Sequence, residues 1–199
     1  MPDDFSEVAA SFPAPFHLLI RESVASTNDD LRSLAQDGAA AGLVLLAREQ
    51  TAGRGRRGNV WFSPNNESLA FSILVRPEEP KSLWPRLALA AGLAVAEALE
   101  NFSVTTGIKW PNDVWVGNRK IAGILVEAGA DFAIVGIGLN VSTREFPSAV
   151  AEIATSLLIE TNLLIPRDEL LGTIIQRFER RQNQIGSDFV DLIDDVRQR

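Results

Sequence analysis

The 199-residue chain has no cysteine and one histidine, His17, which excludes disulfides and thiolate metal sites and argues against multi-histidine metal centres and a Ser-His-Asp triad. Hydrophobic residues make up 46% and charged residues 23%, the balance of an ordinary soluble domain, so a single domain spanning 1–199 is expected. A formal net charge of −7 argues against a nucleic-acid partner held by phosphate contacts, and three of the 19 basic residues crowd into one short loop.

The chain opens on the acidic stretch "MPDDFSEVAA", which has neither the basic start nor the apolar run of a secretory signal. No apolar run reads as long enough to span a membrane, and a cytoplasmic protein is expected. His17, in "APFHLLI", reads as a structural residue. "STNDDLRSLAQDGAAAG" predicts a short helix, capped by Ser26 or Thr27, striped by Leu31, Leu34 and Ala35, and ended by Gly38. Leu43–Ala47 predicts a buried strand, and a loop from Arg48 to Asn66 follows. "SLAFSILV" alternates, with Leu69, Phe71, Ile73 and Val75 on one face, and predicts a half-buried strand.

"SLWPRLALAAGLAVAEALENF" predicts the longest helix, capped by Ser82, with Pro85 in its first turn. "VTTGIKW" precedes a turn at Pro111-Asn112-Asp113, then "VWV", a tight turn at Gly117-Asn118 and the returning strand "KIAGILVEAG". A turn at Ala130-Asp131 leads to the strand "FAIVGIGLNV", and from Phe146 onward the pattern is helical. Together these elements predict an α+β fold with a mixed sheet.

The loop "TAGRGRRGNVWFS" packs three arginines and three glycines into Gly53–Gly58. It contains G-x-G-x-x-G, but "REQTA" separates it from the preceding strand and a turn-like "NVWFSPNN" follows, so the dinucleotide fingerprint does not apply. No Lys-Ser or Lys-Thr follows the glycines, which excludes a Walker loop. What remains is a flexible cationic loop suited to an anion. Glycines let backbone N–H groups approach a ligand, and arginines offer forked donors to carboxylate or phosphate. Three like charges this close repel, so the loop is expected to order when an anion arrives. A second cluster, "GIKWPNDVWVGNRKIAGILVE", places Lys109, Asn112, Asp113 and Lys120 around one strand-turn-strand unit.

These motifs resemble the catalytic domain of biotin protein ligases. "STN" (Ser26–Asn28), Gln50 with GRGRRG, "W-x-S-P" from Trp61, "KWPND", "RKIAGILVE" and "GIGLNV" follow that family's order and spacing. The resemblance implies the fold shared with class II aminoacyl-tRNA synthetases, a mixed, mainly antiparallel sheet backed by helices. It implies activation of biotin by MgATP to biotinyl-5′-AMP, then transfer to a lysine of the biotin carboxyl carrier domain of acetyl-CoA carboxylase.

By the same resemblance Ser26, Thr27, Asn28, Gln50, Gly53, Arg54, Gly55, Arg56, Lys120 and Gly123 bind biotin. Arg54, Arg57, Trp61, Lys109, Asn112 and Asn140 face ATP, with Trp61 packing over the adenylate or serving as a core residue. Lys120 bridges the carboxylate and the α-phosphate, and Arg56 wraps them. Asp113 orients the acceptor lysine or takes part in holding Mg2+, which arrives with ATP. Gly123 and Gly138 form close-packed pocket walls. Some members carry an N-terminal winged helix, for which the residues before Ser26 are too few, and many carry a small C-terminal β-barrel, near whose start this sequence stops. Members occur as monomers or as dimers joined through a sheet edge. The alternatives are a lipoate or octanoate ligase or transferase of the same fold and, from another class, a non-catalytic biotin sensor.

Overall fold

The computed structural model describes residues 3, 5–186 and 188–199, so part of the acidic N-terminal stretch lies outside it. A helix α1 (Phe5–Ala10) leads to strand β1 (His17–Val24), helix α2 (Thr27–Gln36) and strand β2 (Leu43–Gln50). The arginine loop follows, then β3 (Ser68–Val75), α3 (Leu87–Glu100), β4 (Gly107–Lys109), β5 (Asp113–Val116), β6 (Arg119–Ala128) and β7 (Ala133–Asn140). Three helices close the chain: α4 (Leu157–Thr161), α5 (Arg167–Gln182) and α6 (Phe189–Arg197).

The strands form one seven-stranded sheet in the order β1-β2-β3-β7-β6-β5-β4. β1 and β2 are parallel and every other pair is antiparallel, which agrees with the mixed, mainly antiparallel layout expected from the sequence. On one face α3 and α5 pack over Val44, Phe71, Ile73, Val135, Ile137 and their neighbours in the main core. On the other face α2 covers part of the sheet, through Leu31 and Ala35 against Leu45, Leu74 and Ile134. The rest of that second face is left for the site.

Several expectations need correction. β3 is buried along its whole length, not on one side. Its alternating serine, Ser72, faces the site rather than solvent, so the pattern of a half-exposed strand has a different cause. The segment from Lys81 breaks at Pro85: a 3₁₀ turn covers Lys81–Arg86, and neither it nor α3 is capped by Ser82. A proline ring removes one N–H and clashes with the preceding turn, so the α-helix starts beyond it. The longest α-helix is therefore α5, with 16 residues against 14 in α3. Together the 3₁₀ turn and α3 make a stretch of 20 residues apolar enough to cross a membrane, contrary to expectation; most of it is buried in the core. Residues 148–153 are turns, Ala154 bridges to Lys120, and helix begins only at Leu157, capped by Ser156. His17 opens a strand and its side chain is exposed, against Pro15 O at 3.2 Å.

Candidate functional site

The uncovered part of the second face is paved with glycine. β6 supplies Gly123 and Leu125, and its neighbour β7 supplies Gly136 and Gly138, paired across the ladder as Gly123↔Gly138 and Leu125↔Gly136. A side chain at Gly136 would sit 2.2 Å from Asn28 Oδ1, and one at Gly138 would sit 2.3 Å from Trp61 Cε2. Glycine is required here by close approach, not by backbone angle. Above this floor lies a pocket that opens to solvent.

The N-terminal end of α2 forms one wall. Gln50, at the end of β2, accepts hydrogen bonds from Thr27 N (2.8 Å) and Thr27 Oγ1 (3.1 Å). Ser72 Oγ lies 2.7 Å from Thr27 Oγ1 and 2.6 Å from Asn28 Oδ1, and gives its one proton to one of them. Asn28 Nδ2 donates to Glu127 Oε2 (2.7 Å) and Leu125 O (3.3 Å). Ser26, Thr27 and Asn28 are all buried, and the side chains of Thr27 and Asn28 are satisfied by Gln50, Ser72, Leu125 O and Glu127.

The arginine loop folds back as a small hairpin over the pocket. Arg54 bridges to Val60, Gly55 N donates to Asn59 O at 2.7 Å, and Trp61 N donates to Gly53 O at 2.9 Å. Arg57 and Gly58 carry positive φ at its tip. Of the three charges expected to repel one another, Arg54 is met by carboxylates and Arg56 by an amide oxygen. Arg54 pairs with Asp29 at 2.6 Å and Glu127 at 2.9 Å. Arg56 donates to Asn112 Oδ1 at 2.6 Å, and Asn112 is itself fixed by donating to Ile124 O at 2.9 Å. Burial works against charge on Arg54, yet the hydrogen bond and charge of Glu127, with those of Asp29, raise its pKa overall.

The second cluster supplies a cation on the opposite wall. Lys120 Nζ lies 2.8 Å from Asp113 Oδ1, an ion-pair contact without hydrogen-bond alignment, since that oxygen has no hydrogen-bond partner. The same ammonium lies 5.6 Å from the centre of the Trp61 ring. The Trp61 indole rests on the glycine floor, and its buried Nε1–H lacks a partner among the described residues. A buried donor left unpaired costs on the order of 1–3 kcal/mol, which marks this position as one where an acceptor belongs.

Of the residues singled out from sequence, Ser26, Thr27, Asn28, Gln50, Arg54, Gly55, Arg56, Trp61, Asn112, Lys120, Gly123 and Gly138 line this one pocket. Asp113 borders it through Lys120. Gly53 lies behind the loop against the Trp61 backbone. Arg57 is exposed at the loop tip. Lys109 stacks on the Trp115 ring at 3.8 Å, and Asn140 is buried, donating to Thr155 O at 2.9 Å. These last three do not line the pocket. Among the described residues no group of three or more His, Cys, Asp or Glu could hold a metal alone. The sequence reading gave no role to Asp29, Ser72 or Glu127, and it reached Gly136 only as part of the GIGLNV motif. Period-2 counting along β6 and β7 from Gly123 and Gly138 reaches Glu127 and Gly136, a signal open to inspection once the pocket face is known.

A mixed sheet covered on one face, with a glycine floor and a cationic hairpin on the other, defines an α+β ligand-binding domain of the class II synthetase-like fold. The biotin protein ligase from Aquifex aeolicus in complex with biotin and ATP superposes with a TM-score of 0.82 at 34% identity, covering 90% of this chain and 76% of that one. The chain belongs to the biotin/lipoate A/B protein ligase family, whose model matches residues 20–142. It is 40% identical over 163 residues to the biotin--[acetyl-CoA-carboxylase] ligase of Mycobacterium tuberculosis, covering 78% of this chain and 60% of that protein. It is 36% identical over 173 residues to the bifunctional ligase/repressor BirA of Bacillus spizizenii, covering 83% of this chain. The chain spans about half the length of that relative, 53%.

Proposed function

We infer that this domain activates biotin with ATP and transfers it to a lysine of a carrier protein, the biotin carboxyl carrier domain of acetyl-CoA carboxylase being the acceptor by analogy with the named relative. The observation that carries this reading is the convergence, over one glycine floor, of Ser26–Asn28 and Gln50, the loop arginines Arg54 and Arg56, and Lys120. In the first step a biotin carboxylate oxygen attacks the α-phosphorus of ATP and pyrophosphate leaves. Two anions must meet, so fixed cations lower the barrier. Lys120 bridges carboxylate and phosphate, and Arg56 closes from the other side.

The polar wall of Ser26, Thr27, Asn28 and Gln50 takes the ureido end of biotin, with Gly53, Gly55 and Gly123 letting backbone approach it. Arg54, Trp61 and Asn112 serve the ATP side from the pocket wall, Trp61 by stacking; Arg57, Lys109 and Asn140, which lie off the pocket, are assigned to that side by the family resemblance alone. Asp113, the carboxylate beside Lys120, would orient the acceptor lysine or help hold Mg2+ that arrives on the triphosphate. In the second step the acceptor amine attacks the acyl carbon, the bond to the phosphate oxygen breaks and AMP leaves. Until then the mixed anhydride needs shielding from water, a task suited to the hairpin loop.

The test is release of pyrophosphate from ATP that depends on biotin, with labelled biotin appearing on a purified carrier domain. Lipoate in place of biotin is expected to give neither. Pyrophosphate release indifferent to biotin, or biotin binding without release, would overturn the reading.

A further inference from the structure

Glu127 ends the row of β6 residues whose side faces the pocket, after Gly123 and Leu125. It does not line the pocket, and the proposed chemistry gives it no task. Its carboxylate is nonetheless where three separate elements meet. Oε2 accepts from Asn28 Nδ2 at 2.7 Å and from Arg54 at 2.9 Å, while Oε1 pairs with Arg32 at 3.3 Å. Through Asn28 it continues to Ser72, Thr27 and Gln50, so one hydrogen-bonded chain runs from the arginine hairpin to the wall of the pocket.

An exposed ion pair is worth little, because water screens it and ordering two long side chains costs entropy. Glu127 differs on both counts. Its side chain keeps 20% of its exposure, against 50% for Asp29, the other carboxylate on Arg54. Its partners Asn28 and Arg32 are already fixed on α2, so the acceptor is built before the loop arrives. Charge-assisted hydrogen bonds to a preorganised carboxylate are the stronger kind. Without that charge Arg54 would keep Asp29 alone, and the hairpin would hold at its tip only through Arg56 and Asn112.

The geometry points to Glu127 as a positioning residue that fastens the arginine hairpin to α2 and the pocket floor, and so sets how long an acyl nucleotide beneath it stays covered. The retention half of this role rests on the function proposed above; the fastening half does not.

Trypsin, applied to the folded full chain without added substrate, reads the fastening directly, since the hairpin carries its own arginine sites. Cleavage after Arg56 and Arg57, followed by mass spectrometry, is expected to be about fivefold faster in Glu127→Gln, the factor for losing one modest interaction. Glu127→Asp should fall between, and Arg54→Gln, which loses Asp29 as well as Glu127, should be cleaved at least as fast as Glu127→Gln. The double variant should be no faster than Arg54→Gln alone, because the Glu127 contact with the loop is already gone in that single variant. Equal cleavage in wild type and Glu127→Gln, or additive rates in the double, overturns the proposal. If Glu127→Gln does not fold, the Glu127→Asp rate against wild type decides.

The retention half is read by chasing biotinyl-5′-AMP formed in place, whose release should quicken several-fold in Glu127→Gln. Faster cleavage with unchanged release overturns retention. A wild type that forms no such nucleotide overturns the function proposed above, and the trypsin comparison still judges the fastening.

Discussion

Arg56 donates to Asn112 Oδ1 at 2.6 Å across 56 positions of sequence, tying the tip of the arginine hairpin to the turn between β4 and β5. The loop and the second cluster, separate motifs in the chain, are therefore one mechanical unit. Because Asn112 is itself bonded to the β6 backbone, moving Arg56 opens the pocket without unfolding the sheet. Arg56→Gly is expected to shorten the lifetime of the bound acyl nucleotide and spread labelling to bystander lysines. Mass spectrometry of a mixture of carrier domain and an unrelated lysine-rich protein checks this; unchanged selectivity would count against a retaining loop.

Lys120 is the cation on the wall facing the hairpin, held beside Asp113 at 2.8 Å. Removing a fixed electrostatic stabiliser of developing charge costs about 100- to 1,000-fold in rate. Lys120→Ala should therefore cut biotin-dependent pyrophosphate release by at least about 100-fold. Its side chain keeps 30% of its exposure, so the circular dichroism spectrum and melting temperature should stay close to wild type. Near-normal turnover in a folded Lys120→Ala protein would refute the role.

The glycine floor makes a separate prediction. A methyl at Gly136 would stand 2.2 Å from Asn28 Oδ1, and Asn28 is held by Ser72, Leu125 O and Glu127, so it cannot swing aside freely. Gly136→Ala is expected to destabilise the fold by about 1–3 kcal/mol, the usual cost of overpacking. It should also weaken biotin binding by displacing the polar wall. Denaturant unfolding and calorimetric titration with biotin measure the two effects; a silent substitution would mean that Asn28 is less constrained than its contacts imply.

Acid should loosen the hairpin by a route that involves Glu127. Burial works against its charge, but hydrogen bonds from Asn28 and Arg54 and the charges of Arg54 and Arg32 outweigh that and hold its pKa below the ordinary 4.5. Asp29 also faces Arg54 and shares its charge. With the folded value depressed, the unfolded chain takes up the proton first as pH falls. The contribution to stability is complete above about 4.5 and is lost as pH drops from there through the folded value. The gap in melting temperature between wild type and Glu127→Gln should therefore be flat from neutral pH down to the ordinary glutamate range and narrow below it. A gap that is independent of pH in scanning calorimetry would contradict this.

What the sequence determined by itself was local. Residue types that carry chemistry announce themselves by identity and short spacing: Ser26–Asn28, the Gly53–Gly58 run, Lys109–Asp113, Arg119–Gly123. Turn residues such as Gly117, whose φ is +55°, and the helix stop at Gly38, at +93°, follow from backbone sterics within a few residues. Tertiary structure alone decided which groups meet over long separations. Nothing within a short window distinguishes Ser72, polar because it binds Thr27 and Asn28, from a serine on a wet strand face. Nor can a window show that the hairpin's Arg54 finds its counter-charge on Glu127, 73 positions away. That pairing exists because the β3-β7-β6 register puts Ser72, Gly136 and Leu125 side by side under α2, and register is a property of the assembled sheet.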